Sequence, residues 1–215
     1  MKDYIFGSIV FTSRSSLGDP EDPEDFITKF SGKINVYDEI LNKDVEVGQI
    51  RGSIVECAKC LNYDCSLLDL FDVSGEIDKY MAQVWDYDTM NYSKKINPSE
   101  EYLSDTLILE YLYIYPEFNG NGYGLAAIQR TIEQFCKCEN FLVLFQAYPL
   151  QFQKDIKDNF KKRMKLSKFK KDKNKAIKSL MNYYFSGGFK RIGKTEYMYK
   201  LEVGLKEGLV NGALQ

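Results

Sequence analysis

The sequence predicts a mixed α/β domain, and the pattern near the middle of the chain carries that prediction. Two apolar stretches typical of buried strands, Leu107–Tyr115 and Phe141–Tyr148, flank a helical pattern at Gly122–Cys136. A strand–helix–strand unit of this kind places its two strands near-parallel within one sheet. With 215 residues, of which 44% are hydrophobic, the chain is long enough for a real core, and we expect 1–215 to form a single domain.

Strand-like segments dominate the N-terminal part of the chain. Tyr4–Phe11 alternates between apolar and polar residues, and Phe26–Glu39 and Val45–Cys57 also favour strands, separated by a Leu-Asn-Lys-Asp turn. An acidic, proline-interrupted loop at 18–25 connects the first two. These segments are expected to extend the sheet around the central unit.

Helical patterns occur in two further regions. Ser66–Tyr87 carries apolar residues at helical spacing, with a break or bend expected at Gly75, and 88–104 is expected to form a polar loop. The second region, 152–185, is helical with a basic interruption and ends at a glycine pair. Phe189–Val203 then supplies the last strand or hairpin.

Composition excludes several classes of protein. The chain contains no histidine, which rules out Ser-His-Asp triads and metal sites that use imidazole. A net charge of −2 gives no reason to expect nucleic acid or a membrane as partner. Because no apolar run approaches the roughly 20 residues of a membrane span and the N-terminus lacks a signal-peptide pattern, we expect a cytoplasmic protein.

The cysteines allow two interpretations. Cys57 and Cys60 form a Cys-x-x-Cys pair, which together with Cys136 and Cys138 could supply four thiolate ligands to zinc. The one-residue spacer of the second pair is unsuitable for such a site, and reduced thiols packed in the interior fit the pattern better. We therefore expect no metal, although the Cys57/Cys60 pair alone does not decide the question.

The most informative stretch is 107–128. An apolar strand pattern reaches a Pro-Glu turn, after which Gly120, Gly122 and Gly124 alternate and lead directly into a helical pattern. This arrangement exposes backbone N–H groups at a helix N-terminus, where the helix dipole favours an anionic ligand. The stretch therefore predicts a phosphate cradle, a name used here for residues 119–124.

Three interpretations of the cradle compete on sequence alone. The glycines could form only a tight turn, or Gly122-Tyr-Gly124-Leu-Ala-Ala127 could be the dinucleotide fingerprint GxGxxA. That fingerprint requires an acidic residue at the end of the next strand, whereas the acid nearby, Glu139, precedes the strand. The third interpretation is a resemblance to a known family.

The segment Ile114-Tyr-Pro-Glu-Phe-Asn-Gly-Asn-Gly-Tyr-Gly124 resembles motif A of the GCN5-related N-acetyltransferases (GNAT), departing from it at Asn119. Farther along, Tyr183-Tyr184-Phe-Ser-Gly-Gly-Phe189 resembles a second motif of that family, and Phe141–Pro149 resembles its splayed strand. The resemblance covers about 105–201. It implies a mostly antiparallel sheet with a splayed central parallel strand pair and flanking helices.

The resemblance also implies a function, acetyl-CoA-dependent transfer of acetyl to a primary amine of an unidentified acceptor, which attacks directly. The backbone of the cradle would bind the diphosphate of acetyl-CoA, and the pantetheine arm would pair with the strand that contains Leu112 and Ile114. A backbone N–H near Ile114 would face the thioester carbonyl. The implied cofactor-binding residues are Leu112, Ile114, Asn119, Gly120, Asn121, Gly122, Tyr123 and Gly124.

Two residues are candidates for proton transfer. Tyr184 stands at the family's tyrosine position and would protonate the CoA thiolate, whereas its neighbour Tyr183 is expected to pack in the core. Glu110 is expected on the same strand face as Leu112 and Ile114 and would deprotonate the amine. A salt-bridge partner at the sheet edge is the alternative role for Glu110.

The basic segment (154–178) holds twelve Lys/Arg and three Asp. It overlaps a helical insertion at about 152–175, in which Phe152, Ile156, Phe160 and Met164 are spaced four residues apart. The segment could be a solvated flap, a contact to the CoA 3′-phosphate, or a surface for an anionic partner. The last option makes the chain a non-catalytic binding or regulatory protein on the same fold.

Overall fold

The computed structural model describes residues 7–15, 20–98, 105–136, 140–154, 158–169 and 171–202. Its strands are β1 (Gly7–Arg14), β2 (Ile27–Asp38), β3 (Lys43–Val55), β4 (Trp85–Asp86), β5 (Asn91–Tyr92), β6 (Thr106–Ile114), β7 (Phe141–Gln146), β8 (Lys190–Arg191) and β9 (Tyr197–Glu202). Its helices are α1 (Cys57–Asn62), α2 (Leu67–Asp72), α3 (Gly75–Met81), α4 (Tyr123–Phe135), α5 (Asp158–Arg163) and α6 (Lys173–Ser186).

Seven strands form one sheet in the order β1-β2-β3-β6-β7-β9-β8, and β4 and β5 form a separate small hairpin. The pair β6–β7 is parallel, whereas the other neighbours in the large sheet are antiparallel. The predicted fold class, a mixed and mostly antiparallel sheet with a central parallel pair and flanking helices, is therefore confirmed.

The two faces of the sheet are covered by different helices. Ile108 and Leu144 pack with α1, α2 and α3 in one core cluster. Leu107 and Phe145, their neighbours in sequence, pack with α4 and α6 in a second cluster. This alternation follows from the two-residue period of a strand, and it explains why both central strands are apolar throughout.

The central parallel pair opens along its length. β6 and β7 are in register from the pair Thr106–Leu142 to the pair Leu109–Phe145. Beyond that point β6 continues to Ile114 with β3 as its partner, while β7 ends at Gln146. The splay leaves an opening between the two strands, bordered by the second half of β6.

A β-bulge in β6 changes which face its residues occupy. The register with β3 shifts between the pairs Arg51–Tyr111 and Gly52–Leu109, so Glu110 has no direct partner in β3. Glu110 therefore lies on the α3 face, where its charge acts on Glu76, while Leu112 packs toward α4. The prediction that Glu110 shares a face with Leu112 and Ile114 is wrong, because the bulge inserts an extra residue.

The helical prediction for the N-terminal half is confirmed in part. The break expected at Gly75 is present, since α2 ends at Asp72 and α3 begins at Gly75, and the hydroxyls of Ser66 and Ser74 cap the two short helices. The chain then turns into β4, and the loop expected at 88–104 contributes β5. Residues 57–62 form α1, a helix that the sequence analysis did not predict.

The long helical region expected at 152–185 is also divided. Single 3₁₀ turns at Leu150–Phe152 and Leu166–Lys168 flank α5, and Asp172 caps the start of α6. Lys165 has a left-handed backbone with φ of 49°, which separates α5 from the turn that follows it. Ile156, part of the predicted apolar stripe, lies outside the described residues, as do the first three residues of the strand expected at Tyr4–Phe11.

Candidate functional site

The opening between β6 and β7 leads into a cavity of about 530 Å³. Its wall is formed by β6, the phosphate cradle, the end of β7, the segment 158–169 (the flap) and α6. All of the predicted site residues except Asn121 line it. These are Glu110, Leu112, Ile114, Asn119, Gly120, Gly122, Tyr123, Gly124 and Tyr184.

The cradle is a turn in which most backbone N–H groups have no partner among the described residues. Gly120 and Gly122 have φ of 90° and 77°, in the left-handed region that glycine tolerates best. Within the described part of the chain, the amides of Gly120, Asn121, Gly122, Tyr123 and Gly124 make no hydrogen bond. Successive free donors at the start of α4 can bind an anion, because free N–H groups and the positive end of the helix dipole both favour negative charge there.

The two asparagines of the cradle have different roles. Asn119 lines the cavity with an extended backbone, and its amide makes a long bond of 3.4 Å to the Pro116 carbonyl. Asn121 is exposed, and its Nδ2 donates to the Phe118 carbonyl at 3.2 Å. The side chain of Asn121 therefore stabilises the turn and does not enter the cavity.

The open edge of β6 presents backbone donors to the cavity. Tyr115, directly after β6, donates its N–H to the Val47 carbonyl on β3 at 2.8 Å. Successive N–H groups along an extended chain point to opposite edges, so the Ile114 N–H points away from β3. It therefore faces the opening, where β6 has lost β7 as a partner.

Tyr184 lies in the cavity wall among other aromatic rings. Its ring centroid is 4.3 Å from that of Phe145 and 6.2 Å from that of Phe189. Burial raises the pKa of Tyr184 well above its ordinary value, so the phenol stays protonated at neutral pH. At neutral pH the Tyr184 hydroxyl is therefore a hydrogen-bond donor in the cavity wall.

Tyr183 packs against the core, as predicted, and it also reaches the cradle. It is half-buried and lines the cavity, and its hydroxyl accepts a hydrogen bond of 2.7 Å from the Leu125 N–H in the first turn of α4. The helical period places Tyr183 about 100° from Tyr184 but does not reveal that its hydroxyl reaches the cradle. Tyr183 is therefore a site residue that sequence reasoning missed.

Glu110 is held by two side chains of β3. Arg51 Nε is 2.5 Å from one carboxylate oxygen, and Ser53 Oγ donates to the other at 2.9 Å. The Glu110 side chain is 12% exposed. It therefore forms a salt bridge, which is its alternative predicted role, and it also lines the cavity, so its role as a base stays a prediction.

The α3 side of the opening carries further polar groups. Lys79 Nζ donates to Gln146 Oε1 at 3.0 Å, and Gln146 lies at the end of β7 in the cavity wall. Partial burial, followed by repulsion from Glu110, raises the pKa of Glu76. Polar side chains of α3 and of the end of β7 therefore lie on this side of the opening.

Tyr113 contributes a hydroxyl with an unusual environment. The residue is 4% exposed, lines the cavity, and its Oη finds no hydrogen-bond partner among the residues described. Burial raises the pKa of Tyr113, so the hydroxyl remains a potential donor. A buried hydroxyl without a partner costs free energy that a ligand group could recover.

The flap packs on the sheet through its apolar residues. Met164 and Leu166 are buried against Tyr113 in a core cluster, and Phe160 meets the Tyr111 ring edge-on at 6.1 Å. This packing agrees with the interpretation of the basic segment as a helical flap with its apolar stripe on the body. It also makes the flap one wall of the cavity.

Two lysines at the end of the flap pair with Glu117, which lies just before the cradle. Lys165 Nζ and Lys168 Nζ lie 2.6 and 3.2 Å from Glu117 Oε1. These hydrogen bonds lower the pKa of Glu117 to about 2. Part of the positive charge of the basic segment is thus already paired within the chain.

The cysteines lie on both faces of the sheet. Cys57 and Cys60 belong to the cluster under α1, α2 and α3, whereas Cys136 packs with α4 and α6. Burial raises the pKa of Cys57 to about 12, which keeps it a thiol. Cys138 lies outside the described residues, and the described ones include no cluster of three or more Cys, Asp or Glu placed to hold a metal ion.

Comparison of the chain with protein-family models, with curated proteins and with solved structures gives no match. Over the described ranges, none of the helices has the length and apolar character needed to cross a membrane.

Proposed function

We propose that the protein is an acetyl-CoA-dependent N-acetyltransferase that acts on a primary amine. One observation carries the proposal: the free amides of the cradle, the open edge of β6 and the phenol of Tyr184 all line one cavity. Each part suits a different portion of acetyl-CoA. The resemblance of the two sequence motifs to the GNAT family supports the same conclusion independently of the cavity.

The cradle suits the diphosphate. Its five free N–H groups from Gly120 to Gly124 can donate to phosphate oxygens without help from a cationic side chain. This explains how Asn119 can stand where the family usually has Arg or Gln, because the binding groups belong to the backbone. The glycines with positive φ are what allow the amides to converge.

The opening suits the pantetheine arm. Its amide groups can pair with the unpaired edge of β6, as an extended peptide adds to the edge of a sheet. The arm then runs from the cradle toward the splay point at Leu109 and brings the thioester close to Glu110 and Tyr184. An N–H group on the open edge of β6 would stabilise the negative charge that develops on the carbonyl oxygen.

The chemistry then needs a base for the amine and an acid for the thiolate. The acceptor arrives as an ammonium group and loses one proton to Glu110, directly or through a water molecule. The neutral amine attacks the thioester carbon, the carbon–sulfur bond breaks, and the thiolate takes a proton from the Tyr184 hydroxyl. The nitrogen releases its second proton to solvent as the amide forms. After the products leave, Tyr184 regains a proton from solvent and Glu110 loses its own, so the enzyme ends in its starting state.

The proposal is tested by titrating acetyl-CoA into the protein by calorimetry and by measuring CoA release with a thiol reagent. The second measurement uses a panel of primary amines: lysine peptides, polyamines and free amino acids. We expect one equivalent of acetyl-CoA to bind and at least one amine to accelerate CoA release. Salt-sensitive RNA binding without any affinity for CoA would contradict the proposal and favour a binding protein.

The variant Tyr184→Phe separates binding from catalysis. We expect it to lower turnover at least tenfold while leaving the affinity for acetyl-CoA nearly unchanged, because it removes a proton donor and keeps the ring packing. The matched control is Tyr199→Phe, which removes a hydroxyl from the other face of the sheet, where it bonds the Lys95 carbonyl at 3.4 Å.

A further inference from the structure

We propose that Tyr183 is a binding residue of the cradle whose hydroxyl donates its proton to the diphosphate of CoA. This inference rests on the proposed function and deepens it, since it adds a side-chain ligand to a site otherwise made of backbone. It assigns a specific role to a tyrosine that the sequence analysis placed in the core.

The position of the hydroxyl is fixed by two contacts. Tyr183 Oη lies 2.7 Å from the Leu125 N, in the first turn of α4. A methyl group at Gly124 would come within 2.5 Å of the same oxygen. The hydroxyl therefore lies against the backbone that ends the cradle, and the absence of a side chain at Gly124 is what makes room for it.

The hydrogen-bonding capacity of the hydroxyl points to a ligand. A phenol donates one proton and accepts through its lone pairs. Because Tyr183 accepts the Leu125 N–H, its own proton is still available, and no described residue takes it. Burial raises the pKa of Tyr183, so the proton is present at neutral pH. An anion in the cradle is the acceptor that this proton lacks.

A second hydroxyl in the same cavity supports a ligand with polar groups along its length. Tyr113 Oη is buried and has no partner in the described part of the chain. Tyr113 belongs to β6 and lines the same cavity as Tyr183, so a ligand that extends from the cradle along β6 can meet both residues. CoA, with a diphosphate at one end and amides along its arm, has that form.

Calorimetry of two ligands tests the role of Tyr183. CoA and pantetheine are each titrated into the wild-type protein, into Tyr183→Phe and into the control Tyr199→Phe. Pantetheine shares the arm of CoA but lacks the diphosphate. We expect Tyr183→Phe to weaken CoA binding about tenfold or more, the usual effect of losing a hydrogen bond to a charged group, and to leave pantetheine binding unchanged.

The outcomes distinguish this inference from the proposed function. If Tyr183→Phe binds CoA as tightly as the wild type does, or weakens both ligands equally, Tyr183 has only a structural role and the inference is wrong. If the wild-type protein binds no CoA, the proposed function fails and takes the inference with it. A loss confined to CoA, with Tyr199→Phe unaffected, supports both.

Discussion

Glu110 and Arg51 form a salt bridge of 2.5 Å across β3 and β6, at the bulge where the cavity begins. The carboxylate is mostly buried and lines the cavity, whereas the guanidinium is half-exposed, so the negative partner of the pair is the one at the cavity wall. A charge held in this way can orient an ammonium group and accept its proton. Removing the charge should therefore affect catalysis more than CoA binding.

We predict that Glu110→Gln lowers turnover at least tenfold with the amine that the panel identifies, and lowers it most near pH 6.5. At low pH more of the acceptor is protonated, so the reaction depends more on a base. The control is Glu133→Gln, which removes a surface carboxylate paired with Arg130 on α4. Unchanged turnover in Glu110→Gln across pH 6.5 to 9 would assign Glu110 to structure alone.

Substitution of Gly122 tests whether the cradle binds the diphosphate of CoA. Its φ of 77° is strained for any other residue by about 1–2 kcal/mol, and a large side chain would cover the free amides. We predict that Gly122→Trp abolishes CoA binding in calorimetry. Gly75→Ala serves as the control, because a methyl group there meets nothing within 4 Å and the fold should be unaffected. CoA binding that survives Gly122→Trp would exclude the cradle as the diphosphate site.

The contact between Gly124 and Tyr183 predicts a coupled stability effect. Gly124→Ala alone places a methyl group 2.5 Å from Tyr183 Oη, so we expect a loss of about 1–3 kcal/mol in the free energy of unfolding. In the Tyr183→Phe background that oxygen is gone, and Ala should stabilise α4 by up to about 1 kcal/mol relative to Gly. Urea denaturation of the four proteins measures the coupling. Equal effects of Gly124→Ala in both backgrounds would contradict the contact.

The link between Glu117 and the flap predicts a pH dependence. The folded pKa of Glu117, about 2, lies below the ordinary value of 4.5. The ion pairs of Glu117 therefore stabilise the folded state fully above pH 4.5, and this stabilisation is lost as the pH falls through about 2. We predict that Glu117→Gln speeds amide hydrogen exchange in 158–169 at both pH 7 and pH 4, whereas Glu133→Gln does not. A difference present at pH 7 and absent at pH 4 would contradict the lowered pKa.

Local patterns were enough to predict the cradle and the central strands. The glycines at 120, 122 and 124 require a backbone that few other residues adopt, and the apolar runs of β6 and β7 require burial on both faces. The bulge at Glu110 could not be predicted, because it depends on the register with Gly52, almost sixty residues earlier. Which of two adjacent tyrosines reaches the cradle depends likewise on how α6 packs beside α4.

The helices of the N-terminal half were likewise only partly predictable from local sequence patterns. Ser66–Tyr87 carries apolar residues at helical spacing, and the break expected at Gly75 is where the Ser74 cap starts a new helix. The same spacing did not predict that the helix ends before Trp85, which pairs with Tyr92 in a hairpin. A serine cap stabilises the start of a new helix by about 1 kcal/mol. Because this amount is small, packing against the sheet decides whether one helix continues or a second one begins. The periodicity of the sequence therefore located the apolar face but not the ends of the helices.

The central claim, that the amides of the cradle bind the diphosphate of CoA, is tested most directly by ¹⁵N–¹H spectra of the protein during a CoA titration. We predict that the backbone N–H signals of Gly120, Gly122 and Gly124 shift progressively and reach a plateau at one equivalent of CoA, while that of Gly75 stays in place. Signals of the three cradle glycines that do not move at saturating CoA would contradict the claim.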